Sequence, residues 1–156
     1  MNEELKTWLG NTLNDPVASI LLKYSNLTKT QFESILIDLA TENLSINGLK
    51  YEEKAKIRSK AVSRGSFNRS LTQARKNIIS SIYTVLLLSY IGLLTGSVFE
   101  EYETLAERLR DYVTLYATYA QNPKAQTNLL TRIERQLFDA VQKLAKPKEL
   151  KPHKTL

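Results

Sequence analysis

The chain of 156 residues contains no cysteine and only one histidine, His153. It therefore cannot form disulfides, bind zinc through thiolates or use a cysteine nucleophile, and it offers little for histidine-based catalysis. The sequence also has no glycine-rich phosphate loop and no regular spacing of metal ligands. We therefore expect no metal, no cofactor and no enzymatic activity. The first fifteen residues lack a basic segment followed by an apolar run, which argues against a secretory signal and favours a cytoplasmic protein.

Basic residues outnumber acidic ones, 22 to 16, and give a net charge of +6. A surplus of this sign favours an anionic partner such as nucleic acid or a membrane surface. The positive charge is concentrated, because residues 50–77 contain nine Lys and Arg but only two Glu. Since that local surplus exceeds the net charge of the whole chain, the remainder is close to neutral. An anionic partner is expected to bind this segment.

Apolar residues recur at helical spacings along most of the chain, and their 42% share is enough for a core. Capping signals mark helix starts at Asp15, at Thr28 with Gln31, and at Ser63. Phe32, Ile35, Leu36 and Leu39 form the apolar stripe expected on the third helix. The sequence thus predicts an all-α fold, with helices over about 2–13, 16–24, 28–43, 51–60, 63–78, 98–121 and 126–146, a turn at Ser45–Gly48, and a further helical segment within 79–94.

The helix that begins after Ser63 combines an apolar stripe with a basic face. Phe67, Leu71, Ala74 and Ile78 follow at spacings of four, three and four residues, which places them on one side of a helix. The remaining surface collects side chains that can bind phosphates or base edges. They are Arg64, Ser66, Asn68, Arg69, Thr72, Gln73, Arg75 and Lys76.

Between residues 27 and 78, the starts of three predicted helices follow a pattern that is common in DNA-binding proteins. They are Leu27-Thr28, then Tyr51-Glu52-Glu53 with Ala55, then Ser63-Arg64-Gly65-Ser66-Phe67 continued by Gln73-Ala74-Arg75-Lys76. This block, about a third of the chain, resembles the helix-turn-helix in region 4 of bacterial sigma factors. The resemblance implies that the third helix lies in the DNA major groove, with Arg64, Ser66, Asn68, Arg69 and Gln73 facing bases or phosphates and Lys76 further along.

Basic residues of the preceding helix extend the candidate DNA-binding set. Lys54, Arg58 and Lys60 belong to the same charge cluster and are expected to contact phosphates. An alternative is that the cluster is the solvated face of an ordinary bundle helix. The functional interpretation is favoured because the charge cluster, the Ser-Arg-Gly opening and the three-helix spacing coincide.

Residues 77–99 carry no Lys, Arg, Asp or Glu. Such a segment could span a membrane, since about twenty predominantly apolar residues suffice. The interspersed Ser, Thr, Tyr and Gly residues favour instead the central helix of a bundle or dimer, apolar on all sides. We therefore expect no membrane partner, while a membrane-tethered regulator with a single span stays an alternative.

An apolar heptad pattern begins at Val98, after a break at Thr95–Ser97, and predicts a helical interface. Leu105, Leu109, Tyr112, Tyr116 and Tyr119 are the candidate dimer residues of this helix. A last helix, over about 126–146, can pair with it within one chain or between two chains. The residues after Pro147 are polar and are expected to form a mobile tail.

The sequence therefore predicts four segments: N-terminal helices over 1–27, a DNA-binding unit over 28–78, core and dimerisation helices over 79–146, and a basic tail over 147–156. The function that it predicts is sequence-specific binding of double-stranded DNA by a homodimeric helix-turn-helix transcriptional regulator. The alternative from another class is a helical scaffold that binds a protein partner.

Overall fold

The computed structural model describes residues 2–43, 49–94 and 98–145. Within these ranges the chain forms seven helices and no strand, so the predicted all-α class is confirmed. The turn expected at Ser45–Gly48, the break at Thr95–Ser97 and the C-terminal tail lie outside the described residues. The helices are α1 Asn2–Leu13, α2 Pro16–Tyr24, α3 Lys29–Asn43, α4 Tyr51–Ile57, α5 Arg64–Tyr90, α6 Val98–Thr118 and α7 Pro123–Ala145.

The chain divides into two compact units, the first ending at Ser81 and the second beginning at Ile82. The N-terminal helices, which were expected to pack on the core, share the first unit with α3, α4 and the first part of α5. Their shared core contains Leu5 and Leu9 from α1 together with Ile37 from α3 and Phe67 from α5. Burial of side chains of this size contributes about 1.5–3 kcal/mol each.

Side-chain caps fix where three helices of the first unit begin. The Ala18 N–H donates to Asp15 Oδ1 at 2.6 Å, ahead of α2. Before α3, the Gln31 N–H donates to the Thr28 hydroxyl, and the Thr28 N–H donates to Gln31 Oε1 at 2.9 Å. Before α5, the Ser66 N–H donates to the Ser63 hydroxyl at 3.2 Å. All three caps predicted from the sequence are thus confirmed, and they satisfy amides that a helix start leaves without partners.

Helix α3 buries more of its circumference than an amphipathic surface helix does. Ile37 is fully buried, whereas Leu39, expected on the buried stripe, is 48% exposed. The prediction for Leu39 was wrong because α3 packs against both α1 and α4, which moves its buried face toward Ile37. The buried face also contains polar side chains: Glu33, Ser34, Asp38 and Thr41.

The carboxylate of Asp38 connects α3 to two other helices. Lys54 Nζ of α4 lies 2.7 Å from Asp38 Oδ1, and Arg75 Nη2 of α5 lies 2.6 Å from Oδ2. Asp38 and Lys54 are buried, while about half of the Arg75 side chain is exposed. A buried charge is tolerated only when it is paired and hydrogen-bonded, and here both carboxylate oxygens have a cationic donor. Asp38 therefore holds α4 and α5 in register with α3.

In the second unit, α6 and α7 form a hairpin within one chain. Leu109 of α6 is buried, as are Ile133 and Leu137 of α7, and the Tyr112 hydroxyl donates to Gln136 Oε1 at 2.8 Å. Helix α7 begins three residues earlier than the predicted start near Gln126. Asn122 provides the reason, because its Oδ1 accepts the Ala125 N–H and the next residue is a proline suited to a first turn.

Helix α5 ends within the uncharged segment, at Tyr90. Gly92 adopts a positive φ of 77°, the Gly92 N–H donates to the Ser89 carbonyl, and the Leu93 N–H donates to the Leu88 carbonyl. This is the Schellman arrangement, in which a left-handed glycine lets the chain fold back over the last turn.

Within the single chain, the uncharged segment is not buried as the central helix of a bundle would be, and its place in a dimer stays a prediction. Ile82, Tyr83, Leu86, Leu87 and Tyr90 are all exposed. Across the described ranges, no helix is both long enough and apolar enough to cross a membrane.

Replacing Asp38 by alanine is expected to destabilise the first unit by about 3 kcal/mol, because it leaves the buried Lys54 ammonium without its counter-charge. Urea denaturation followed by circular dichroism measures the change. Asp139→Ala is the matched control, since Asp139 is an exposed carboxylate of α7, and surface changes of this kind stay within about 0.5 kcal/mol. Equal stabilities of the two variants would contradict the role given to Asp38.

Candidate nucleic-acid interface

The first half of α5 has one face in the core and the opposite face in solvent. Phe67, Leu71 and Ala74 are buried, as the sequence predicted, whereas Ile78, the fourth residue of the predicted stripe, is 37% exposed. The ring of Phe67 packs near that of Tyr51 from α4, with the ring centres 6.3 Å apart. With this face fixed, the other face is exposed over three turns. It carries Arg64, Ser66, Asn68, Arg69, Thr72, Gln73 and Lys76.

The N-terminal end of α5 is accessible. Apart from Ser63, which caps the Ser66 amide, no cap hydrogen bond to the first turn is seen in the described ranges. A Cβ added at Gly65 would meet no atom within 4 Å, so this end of the helix is not covered by another element. Free amides and the positive end of the helix dipole attract anions.

Four cations near this face have no ion-pair partner in the part of the chain that the structure describes. They are Lys60, in the segment before α5, and Arg64, Arg69 and Lys76 on α5, and all four side chains are exposed. Their charges are therefore balanced only by solvent ions, which an anionic ligand could displace.

Three other basic residues of the predicted set have internal partners. Lys54 and Arg75 share Asp38, and Arg58 pairs with Glu33, with Nη2 and Oε2 3.1 Å apart. The side chains of Lys54 and Arg58 are at most 10% exposed. Moving either cation to a phosphate would take an ion-pair partner from a buried carboxylate, so the geometry places both inside the fold instead of at an outer surface. Arg75 is half exposed and keeps one side of its guanidinium open.

The segment between α4 and α5, residues 58–63, is held by the carboxylate of Glu33. Besides the Arg58 pair, Glu33 Oε1 accepts the Ser59 N–H at 2.6 Å. This contact explains why α4 ends at Ile57 and not near Lys60 as predicted, because Arg58 leaves the helical conformation, with φ −53° and ψ 148°, and the chain turns toward Glu33. The Val62 N–H then donates to the Ala55 carbonyl. The six-residue connection is longer than the three to four residues common between the two helices of such motifs.

Burial disfavours the ionised form of Glu33 and by itself would raise its pKa. Hydrogen bonds from the hydroxyl and amide of Ser59 and from Arg58, with the charge of Arg58, outweigh burial. The net pKa of Glu33 therefore lies below its ordinary value of 4.5. At neutral pH the carboxylate is ionised and holds the connection in place.

The C-terminal end of the exposed face is also tied to the scaffold. Gln73 Nε2 donates to Asn77 Oδ1 at 3.0 Å, and Asn77 Nδ2 donates to the Asn26 carbonyl, between α2 and α3, at 2.7 Å. About one turn earlier on α5, the Ser70 hydroxyl lies 3.2 Å from the Ser34 hydroxyl of α3, so the two helices are in contact through small side chains. These contacts orient Gln73 and restrict rotation of α5 about its axis.

Glu33, Asp38 and Asn77 are the positioning residues that sequence reasoning missed. Glu33 and Asp38 stand beside the apolar stripe of α3 and resemble ordinary surface carboxylates of an amphipathic helix. One signal was present: the acidic residues of α3 are matched by a basic excess on the two following helices. Which acid pairs with which base depends on how the helices pack, and helical periodicity does not determine that.

The predicted dimer residues lie mainly against the second helix of their own hairpin. Leu109 is buried, Leu105, Tyr112 and Tyr116 are half-buried, and Tyr119 is exposed just beyond the end of α6. The Tyr116 carbonyl accepts a hydrogen bond from Gln126. Of the two pairings that the sequence left open, the structure shows the one within the chain.

No protein-family model, curated protein or solved structure matches this chain.

Glu33→Gln is expected to make stability less dependent on pH. A carboxylate whose pKa is lowered by folding contributes its full stabilisation above the unfolded value and loses it as the pH falls through the folded value. The wild-type chain should therefore be more stable than the variant at pH 7, and this advantage should shrink as the pH falls below 4.5. Urea denaturation at several pH values measures the difference. The exposed Glu103, changed to Gln, serves as control, and an advantage that persists unchanged in acid would refute the assignment.

Proposed function

We propose that the chain binds double-stranded DNA through the exposed face of the first half of α5, as a helix-turn-helix transcriptional regulator. The observation that carries the proposal is the division of this helix into two faces. The uncharged face at Phe67, Leu71 and Ala74 is fixed in the core, while the opposite face presents cations without internal partners.

The exposed side chains have the chemistry that both parts of DNA recognition require. Arg64 and Lys76, near the two ends of the face, are suited to phosphates, where neutralisation releases bound counterions. Asn68, Arg69 and Gln73 lie between them, and side chains of these types form paired hydrogen bonds with adenine or guanine edges. A major groove about 12 Å wide accepts an α-helix with its side chains.

The order of α3, α4 and α5 agrees with the resemblance to region 4 of sigma factors, in which the third helix of the unit enters the groove. Under that resemblance the base-facing and phosphate-facing positions are Arg64, Ser66, Asn68, Arg69 and Gln73, and each of these side chains is exposed. Thr72 and Lys60 extend the surface on either side. Lys54 and Arg58 are omitted because their internal carboxylates hold them.

A homodimer fits this function because two recognition helices about 34 Å apart read a two-fold symmetric site and double the phosphate contacts. A protein that acts on DNA in this way would work in the cytoplasm of a cell without a nucleus. The proposal needs neither a metal nor a cofactor.

A second candidate function is protein–protein interaction by a helical scaffold. The observation that favours it is the exposed apolar side chains on the second part of α5, since large apolar patches commonly mark interaction sites. Titration of the chain with duplex DNA, single-stranded DNA and RNA at low salt separates the two functions. A scaffold binds none of the three, whereas the proposed regulator binds the duplex.

Arg69→Ala is expected to weaken duplex binding about tenfold without changing stability, because it removes one charged contact of about 1–3 kcal/mol at an exposed site. Fluorescence anisotropy with a labelled duplex pool measures the affinity, and thermal unfolding checks the fold. Arg132→Ala removes the same charge from an exposed position on α7 and should leave the affinity within about twofold. Equal losses of affinity in the two variants would show that only net charge matters, and this would contradict the proposal.

Lys76→Ala is expected to reduce the salt dependence of binding. Each phosphate that a lysine neutralises adds about one unit to the slope of log K against log salt, so the slope should fall by about one. The same titrations, repeated over a range of salt concentrations, give this slope. Lys143→Ala, at an exposed position of α7, is the control that should keep the wild-type slope.

A further inference from the structure

The second part of α5 carries an apolar face that the chain itself leaves in solvent. From Ile82 onward, Tyr83 is 68% exposed, Leu87 is 59% exposed and Tyr90 is 82% exposed, and Ile82 and Leu86 are each about half exposed. Side chains of this size are normally buried by the fold. We call these five residues the apolar face of α5.

The five residues form one continuous surface. Successive residues turn by about 100° around an α-helix, so positions 82, 83, 86, 87 and 90 fall within an arc of about 140°. Val85 and Leu88, on the other side of the helix, are half-buried. The helix thus has one side partly covered and the opposite side uncovered, which is the pattern of an interface helix.

The size of this surface fits a dimer. With about 200 Å² for each large side chain, the exposed fractions amount to on the order of 600 Å². A stable interface buries about 800 Å² on each partner, whereas the largest apolar patch of a typical monomer covers about 300–600 Å². The neighbouring Ile79 and Ile91, 52% and 49% exposed, add on the order of 200 Å², so this region together reaches the area that a stable dimer requires.

The charge distribution favours a second copy of the chain as the partner. The whole chain carries +6, so two copies repel each other wherever their basic regions approach. Residues 77–99 contain no Lys, Arg, Asp or Glu, so two copies can meet there without placing like charges together. An acidic or basic partner would find no complementary charge on this surface. A two-fold axis also pairs the same patch with itself, so no second surface is required.

We infer that the chain forms a homodimer in which the apolar face of α5 packs against the same face of a second copy. The interface lies on α5 and not on the heptad residues of α6, several of which pack within their own hairpin. This inference does not rest on DNA binding and is tested without nucleic acid.

The double substitution Leu86→Glu with Tyr90→Glu places two charges per chain in the proposed interface. It is expected to weaken dimerisation at least about a hundredfold, because the carboxylates would be buried without partners. Sedimentation velocity at micromolar concentrations gives the mass and the dissociation constant. The control, Thr114→Glu with Gln142→Glu, adds the same charge at exposed positions of α6 and α7. It should remain dimeric, and circular dichroism should show equal helicity in both variants.

Three outcomes would overturn the inference. They are a wild-type chain that is monomeric at all concentrations, a Leu86→Glu/Tyr90→Glu variant that dimerises as tightly as its control, and a monomer whose apolar face binds phosphatidylcholine vesicles instead. Because the DNA titrations measure a different surface, a failed dimer leaves DNA binding by the α5 face of a single copy untouched and removes only the two-fold site. A chain that fails to bind DNA would likewise leave the inferred dimer untouched.

The absence of cysteine permits a positional test in the full chain. A single cysteine replacing Tyr83, Leu87 or Tyr90 in turn is the only thiol present, so a disulfide can form only between two copies. Oxidation should cross-link at least one of these variants rapidly, because thiols near a two-fold axis approach within disulfide reach. Thr114→Cys is the control on α6. Cross-linking no faster than in this control at all three positions would contradict the inference.

Discussion

The carboxylate of Asp38, bound between Lys54 and Arg75, is the contact on which the first unit depends. It lies on α3 and its two partners lie on α4 and α5, so one side chain fixes the relative placement of three helices. Each partner removes a different freedom: Lys54 limits sliding of α4, and Arg75 limits rotation of α5. Glu33 acts similarly one turn earlier, where it holds the connection at Arg58 and Ser59.

These ion pairs and the apolar core contribute in different ways. Burial of Phe67, Leu71 and Ile37 supplies most of the stabilisation, since apolar burial gives about 25 cal/mol for each Å². A buried ion pair adds little net stability, because its Coulomb attraction is largely cancelled by the cost of removing two charges from water. Its main effect is to select one orientation of the helices. A slightly rotated α5 could still bury Phe67, but it would lose the ion pair between Arg75 and Asp38.

Local features of the fold were predictable from the sequence, and the features that depend on packing were not. The caps at Asp15, Thr28 and Ser63, and the buried residues Phe67, Leu71 and Ala74, follow from interactions within a few positions of the chain. The internal roles of Lys54 and Arg58 depend on carboxylates sixteen or more residues away, and so does the early end of α4. The exposure of the apolar face of α5 was also unpredictable, because hydropathy shows that a segment can be buried without showing what buries it.

The internal pairs also change how the charge of the chain should be understood. Of the nine basic residues in 50–77, three pair with Glu33 and Asp38, which precede that segment in the sequence and cancel two of the three positive charges. The local surplus of positive charge is therefore smaller than the sequence suggests, but much of what remains lies on one exposed helix face. Arg64, Arg69 and Lys76 remain exposed on one helix, whereas Lys54 and Arg58 are held by internal carboxylates and only Lys56 stays exposed among the lysines of α4. A concentrated field attracts an anion more strongly at short range than the same charge dispersed, because screening limits its reach to about 10 Å. Internal ion pairing thus weakens the positive field around α4 and leaves Arg64, Arg69 and Lys76 of α5 exposed.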